Sequence, residues 1–244
     1  MASPSAVRFS QGKKDIGDAR KFSWEYPVPD NRFWNDIPFT TARNFFQSFS
    51  SEEIDRLPID PDSTLEKHSK LENLIKLLRE LLAKKEAELS PKSFYDVDFA
   101  GWDRLWLAIY TLQDQLEDPE AEGTLRMLCD RRKDKTNLSH QHTLAGLLLD
   151  RGKFAEAEAL EKGVKEWLDG QLGKDSPQAL SARRIIAQAQ WKQGPSRRAE
   201  ANDTIADLTR IIDGMGTSQF AVYQEEEREM AGKLILDLKK GQGA

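Results

Sequence analysis

The stretch LAGLLLDRGKFAEAEA, Leu144 to Ala159, returns 42 residues later as IAQAQWKQGPSRRAEA, Ile186 to Ala201. A fixed internal period of this size is the signature of a helical repeat array. One repeat is a helix-turn-helix unit that cannot bury its apolar face alone, so it must stack on a neighbour. The echo therefore predicts an all-α chain of stacked helix pairs before any single residue is weighed.

Composition narrows what such an array does. The 244 residues are 32% charged and 39% hydrophobic, with a net charge of −5. An acidic balance argues against a nucleic-acid-binding domain, which needs a basic footprint. The longest apolar run, Leu144 to Leu149, is far short of the ~20 residues that span a bilayer, so no membrane association is expected. A single cysteine, Cys129, excludes an internal disulfide and fits a reducing, intracellular, cytoplasmic setting. The first residues lack the apolar middle of a secretory signal. Residues 1–21 read as a flexible tail.

Residues 22–62 read as an aromatic, proline-rich arm with a short helix. Nine of the chain's 21 aromatic residues lie between Phe22 and Phe49. Pro27, Pro29 and Pro38 prevent a continuous helix there. Trp24, Tyr26, Phe33 and Trp34 must cover a surface, either their own domain or a partner. Ser50-x-x-Glu53 reads as a capping box for the short helix.

Residues 63–244 read as a helical domain. A second capping box, Ser63-x-x-Glu66, is expected to open a long helix to about Leu89. Its apolar stripe, Leu71 to Leu82, offers a surface for self-association if it stands exposed. Asp98 is expected to cap a helix from about Ala100 to Leu116. Helices follow at about 120–132, 139–151, 154–172, 177–193 and 197–213, with a capping helix at 219–239. No segment reads as a strand.

The second-to-last repeat carries Leu144, Ala145, Leu148, Gly152, Phe154, Ala157 and Glu158. The connector Leu172 to Leu180 reads LGKDSPQAL. Together these resemble tetratricopeptide (TPR) repeats of the kinesin-light-chain-like type, whose connector reads LGxDHPxTL; Ser176 stands in place of its His. The last repeat keeps Ala187, Gly194, Ala199 and Glu200 but has Gln190 where a large apolar residue is usual. A degenerate earlier repeat begins near Asp118–Pro119. The resemblance implies a right-handed TPR-like α-solenoid of antiparallel helix pairs, with repeats at about 100–134, 138–176 and 180–216.

It also implies a binding groove lined by the first helix of each pair. The groove candidates are Ser139, His142, Gly146, Leu149 and Asp150 on one helix, and Ser181, Arg184, Gln188, Trp191 and Lys192 on the next. Arg184 and Gln188 lie one turn apart on one face and together suit a carboxylate. His142 and Gly146 depart from the chaperone-tail clamp of other TPR proteins.

Catalytic motifs are missing: the sequence has no P-loop, G-x-G-x-x-G, G-x-S-x-G or H-E-x-x-H. His140 and His142, two apart on a helix, point away from each other and do not suit a shared metal ion. Asp96, Asp98 and Asp103 suit a helix start, and Glu225 to Glu227 read as a solvated face. No catalytic residue, metal or cofactor is expected. The chain thus reads as a non-catalytic adaptor holding a protein or peptide partner. The competing reading is a cofactor-free enzyme or small-molecule binder, with a pocket enclosed by the helices and the arm.

Overall fold

The computed structural model describes residues 6–10, 13 and 15–240. Its helices are α1 Phe39–Phe46, α2 Ser51–Ile54, α3 Lys67–Leu89, α4 Phe94–Val97, α5 Phe99–Gln115, α6 Ala121–Arg131, α7 Ser139–Asp150, α8 Phe154–Gln171, α9 Pro177–Lys192, α10 Arg198–Asp213 and α11 Gln224–Lys240. The chain is mostly helical, and no described helix is long and apolar enough to cross a membrane. It divides into two compact units, Met1–Arg132 and Lys133–Ala244. The long helix and its neighbours up to Arg132 therefore group with the aromatic segment.

In the first unit, α3 presents Leu71, Leu74, Ile75, Leu78 and Leu81 on one buried face. Leu105, Ala108, Ile109 and Leu112 of α5 close on that face, and Val28, Phe33, Trp34, Ile37, Phe45 and Phe46 complete the core. Burying a large apolar side chain contributes roughly 1.5–3 kcal/mol, so the aromatic segment is a major part of this unit's stability. Trp34 sits 4.6 Å from Phe46 and 5.5 Å from Phe45, ring centre to ring centre. The α3 stripe is consequently covered from Leu71 to Leu81, and Leu82 at its end is half-buried.

Polar bonds fix the segment in register. Lys70 on α3 is 1% exposed, and its Nζ donates to the Arg32 carbonyl at 2.9 Å and to Asp36 Oδ2 at 2.7 Å. Arg8 donates to the carbonyls of Trp34 at 2.9 Å and Ile37 at 2.6 Å.

Three sequence expectations change here. A two-residue strand, β1 Val7–Arg8, pairs antiparallel with β2 Val28–Pro29 where no strand was expected. Phe9, Ile16 and Ala19, expected in a free tail, are buried. Residues 1–5, 11, 12 and 14 of that tail lie outside the described residues. Finally, the Ser63 capping box does not form: Ser63 Oγ accepts from the Leu65 amide instead, and α3 begins at Lys67. The Ser50 box does form, with Glu53 Oε2 accepting from the Ser50 amide at 2.9 Å. Asp98 caps α5 by accepting from the Gly101 amide.

In the second unit each helix from α7 to α11 packs on the next, and α9 also packs on α7 and on α11. Ala145, Ala157, Ala182, Ala187, Ala189 and Ala201 are all fully buried, so backbones approach where larger side chains would hold them apart. Gly152 and Gly194 close the turns after α7 and α9 with φ of +76° and +114°, conformations that glycine adopts without steric cost. Ser176 caps α9 through the Ala179 amide, with Pro177 in the first turn. The last helix starts at Gln224, five residues later than expected. Short 3-10 turns at Gly214–Thr217 and Ala221–Tyr223 intervene, burying Met215 and Tyr223.

Candidate functional site

The groove candidates separate according to the helix that carries them. On α9, Arg184, Gln188 and Lys192 are spaced by four, so they share one face. That face meets Met230, Lys233, Leu234 and Asp237 of α11, and together they line an open pocket of about 380 Å³. Trp191, seven positions after Arg184, is half-buried, with the guanidinium of Arg198 on α10 5.3 Å from its ring centre. It is an inter-helix packing element.

The α7 candidates do not join this pocket. His142 turns toward α8, where its Nδ1 lies 2.6 Å from Glu161 Oε1. Leu149 and Ser139 are half-buried, and Asp150 is exposed at the last position of α7. Gly146 lies against α9: a Cβ built there would come 3.9 Å from Ile185 Cδ1. Ser181 is half-buried.

The arm candidates are held within their own unit. Phe33 and Trp34 are core residues. Trp24 stacks on Phe22 at 4.6 Å, and Tyr26 packs partly buried against the core. The segment's aromatics cover α3 and α5, which answers why so apolar a stretch exists.

Charge inside the second unit is organised around buried acids. Glu158 is 4% exposed and accepts from Gln193 Nε2 at 2.6 Å, Arg197 Nη2 and Lys162 Nζ at 2.8 Å, and Gln190 Nε2 at 3.2 Å. Burial alone would raise its carboxyl; these four donors outweigh burial and hold it at about 2. Arg183 grips both oxygens of Asp169 at 2.8 Å and donates through Nε to Asp207 at 3.1 Å, tying α8, α9 and α10 together.

Glu161 and Glu227 behave oppositely. Glu161 is fully buried, and Oε2 has no hydrogen-bond partner. Burial pushes its carboxyl up against the opposing bond to His142. Glu227, 1% exposed, pairs with Arg184 across α9 and α11, yet burial still raises it. Sequence reasoning placed Glu227 on a solvated face. The signal it missed is the stripe Glu227, Ala231, Leu234, Leu238, whose spacing puts the carboxylate on the packed side. The same spacing, Lys70, Leu74, Leu78, Leu81, marks Lys70 as buried.

With Arg184 paired to Glu227, the pocket's open charges are the ammonium groups of Lys192 and Lys233 and the exposed carboxylate of Asp237. Both lysines are exposed and neither has an acidic partner among the described residues. Asp237 lies 3.9 Å from Lys240. The Gln188 amide, half-buried in the same lining, makes no hydrogen bond among the described residues. This arrangement suits a carboxylate-bearing segment with an apolar residue to cover Met230 and Leu234.

The other ionisable candidates have structural settings. Asp98 caps a helix, and Asp103 Oδ2 lies 3.5 Å from Arg132. Burial raises the Cys129 thiol to about 11, so it is not a thiolate near neutrality. No cluster of three His, Cys, Asp or Glu side chains is placed to hold a metal ion among the described residues. No family model, curated protein or solved structure matches the chain.

Proposed function

We propose that the second unit is a short TPR-like solenoid. In it α7–α8 and α9–α10 are right-handed repeats of antiparallel helix pairs, and α11 stands as the cap. The protein is then a non-catalytic adaptor that holds an acidic peptide or helix of a partner protein in the groove between α9 and α11. The fold part of this reading is supported by two glycines 42 residues apart, Gly152 and Gly194, which close equivalent turns with positive φ. It is also supported by the packing of α7 on α9 and of α9 on α11, the spacing expected of successive first helices.

The observation that carries the function is the convergence of Arg184, Gln188 and Lys192 on one pocket with Lys233, Met230 and Leu234. Lys192 and Lys233, neither paired with an acid among the described residues, outnumber the one exposed carboxylate of the pocket, Asp237, and with the apolar floor suit carboxylates flanking an apolar residue. A random peptide library selected on the full chain tests this, with the double variant Lys192→Glu/Lys233→Glu as counter-selection. Enrichment of Asp/Glu-containing sequences that the variant no longer retains is the expected result. Enrichment that the variant retains, or no enrichment, overturns the reading.

A further inference from the structure

Arg184 belongs both to the wall of the α9–α11 pocket and to a buried ion pair. Its side chain is 14% exposed and lines the pocket. Among the described residues only its Nη1 donates to an acceptor, and that acceptor is Glu227 Oε2. A guanidinium carries five N–H donors in a planar fork, so Arg184 keeps donors for a second carboxylate.

Glu227 is the dry partner of the pair. It lies on α11 three residues before Met230, about one helical turn from the pocket floor, and does not line the pocket. It is 1% exposed, and its Oε1 has no hydrogen-bond partner. A carboxylate taken out of water with one oxygen unmet is biased toward its neutral form, and burial does raise Glu227 against the pull of Arg184. The other charge acting on it is Glu226, on its own helix, which pushes the same way. Of the other elements packed on α11, α10 brings Asp213, which pairs with Arg228 at 3.6 Å, and the turn Ala221–Tyr223 brings the Tyr223 phenol.

Resting on the groove reading above, we propose that a ligand carboxylate binds Arg184 at the pocket wall and that Glu227 takes up a proton as it does so. Two carboxylates then face one guanidinium. The buried one gives way, because the ligand's keeps contact with water at the open pocket. The proton comes from solvent, and the neutral Glu227 carboxyl still accepts from Arg184 through its carbonyl oxygen. The local charge is one cation and one anion before binding, and the same after it. The complex holds more protons than the free protein, so affinity falls as pH rises.

The probe is the capped peptide acetyl-Asp-Leu-Asp-amide, whose carboxylates stay ionised from pH 6 to 7. It is titrated at up to millimolar concentration into the full chain by calorimetry, in two buffers of different ionisation enthalpy, which counts protons taken up. The parent is expected to take up about half a proton or more per peptide at pH 6, with a Kd that rises about threefold or more from pH 6 to 7. Glu227→Gln is expected to bind the peptide with no uptake and a Kd flat over that range. The parent's proton count decides by itself, whether or not the variant folds. Binding without uptake by the parent, or equal uptake by parent and variant, overturns the coupling and leaves the groove reading in place. No binding of the peptide at either pH overturns both.

Discussion

Gln190 Nε2 donates to Glu158 Oε1 at 3.2 Å, while Gln190 Oε1 accepts from Thr204 Oγ1 at 2.9 Å. A residue that breaks the apolar pattern of its repeat thus joins α8, α9 and α10. Replacing Gln190 with Leu restores the pattern but removes a donor from a buried carboxylate. The variant should lose about 1–2 kcal/mol, read from urea unfolding. A gain in stability would show that the network contributes nothing.

Acid should weaken the second unit through Glu158. Its carboxyl falls from an unfolded value near 4.5 to about 2 in the fold. The folded state therefore binds fewer protons between those values, and stability is lost as pH drops through them. The effect amounts to about 3 kcal/mol at most. Glu161 and Glu227, both raised by burial, act in the reverse sense: they favour the fold when protonated and lose stability as pH rises above 4.5. Comparing melting temperatures of the parent and Glu158→Gln from pH 2 to 5 separates the contributions. The parent should show the steeper loss toward pH 2; parallel curves would contradict the assignment.

His142→Ala strands Glu161 in the interior with neither oxygen paired. Removing one partner of a buried pair costs roughly 3–5 kcal/mol. The double variant His142→Leu/Glu161→Leu should recover most of that loss, since an apolar pair leaves nothing unsatisfied. Thermal denaturation of both variants measures it. Equal destabilisation by single and double changes would assign the cost to packing alone.

A chain beginning at Ser50 lacks Val28, Phe33, Trp34, Ile37, Phe45 and Phe46, all buried against α3 and α5. It should lose cooperative unfolding of the first unit and bind a hydrophobic dye strongly. Retained thermal stability in calorimetry would mean that these contacts are dispensable.

The helices were legible because they rest on local signals. The caps at Ser50 and Asp98, and the breaks at Gly152 and Gly194, require only neighbours in the sequence. The register of the aromatic segment was not legible, because Lys70 reaches Arg32 and Asp36 across more than thirty positions. For the site, α9's contribution followed from its spacing of four. Glu227 and Glu161 were missed because an acid at a packed position reads like one on a wet face unless its apolar companions are counted first.

The first unit is assembled from pieces made far apart in time. Phe33, Trp34, Phe45 and Phe46 emerge during synthesis before the residues of α3 and α5 that will cover them. At roughly 5–20 residues per second, several seconds pass between the emergence of Phe49 and that of Leu112. Until α3 and then α5 have emerged, the cluster of rings lacks the helices that cover it. The order of translation thus leaves this core's aromatic half made before its helical half.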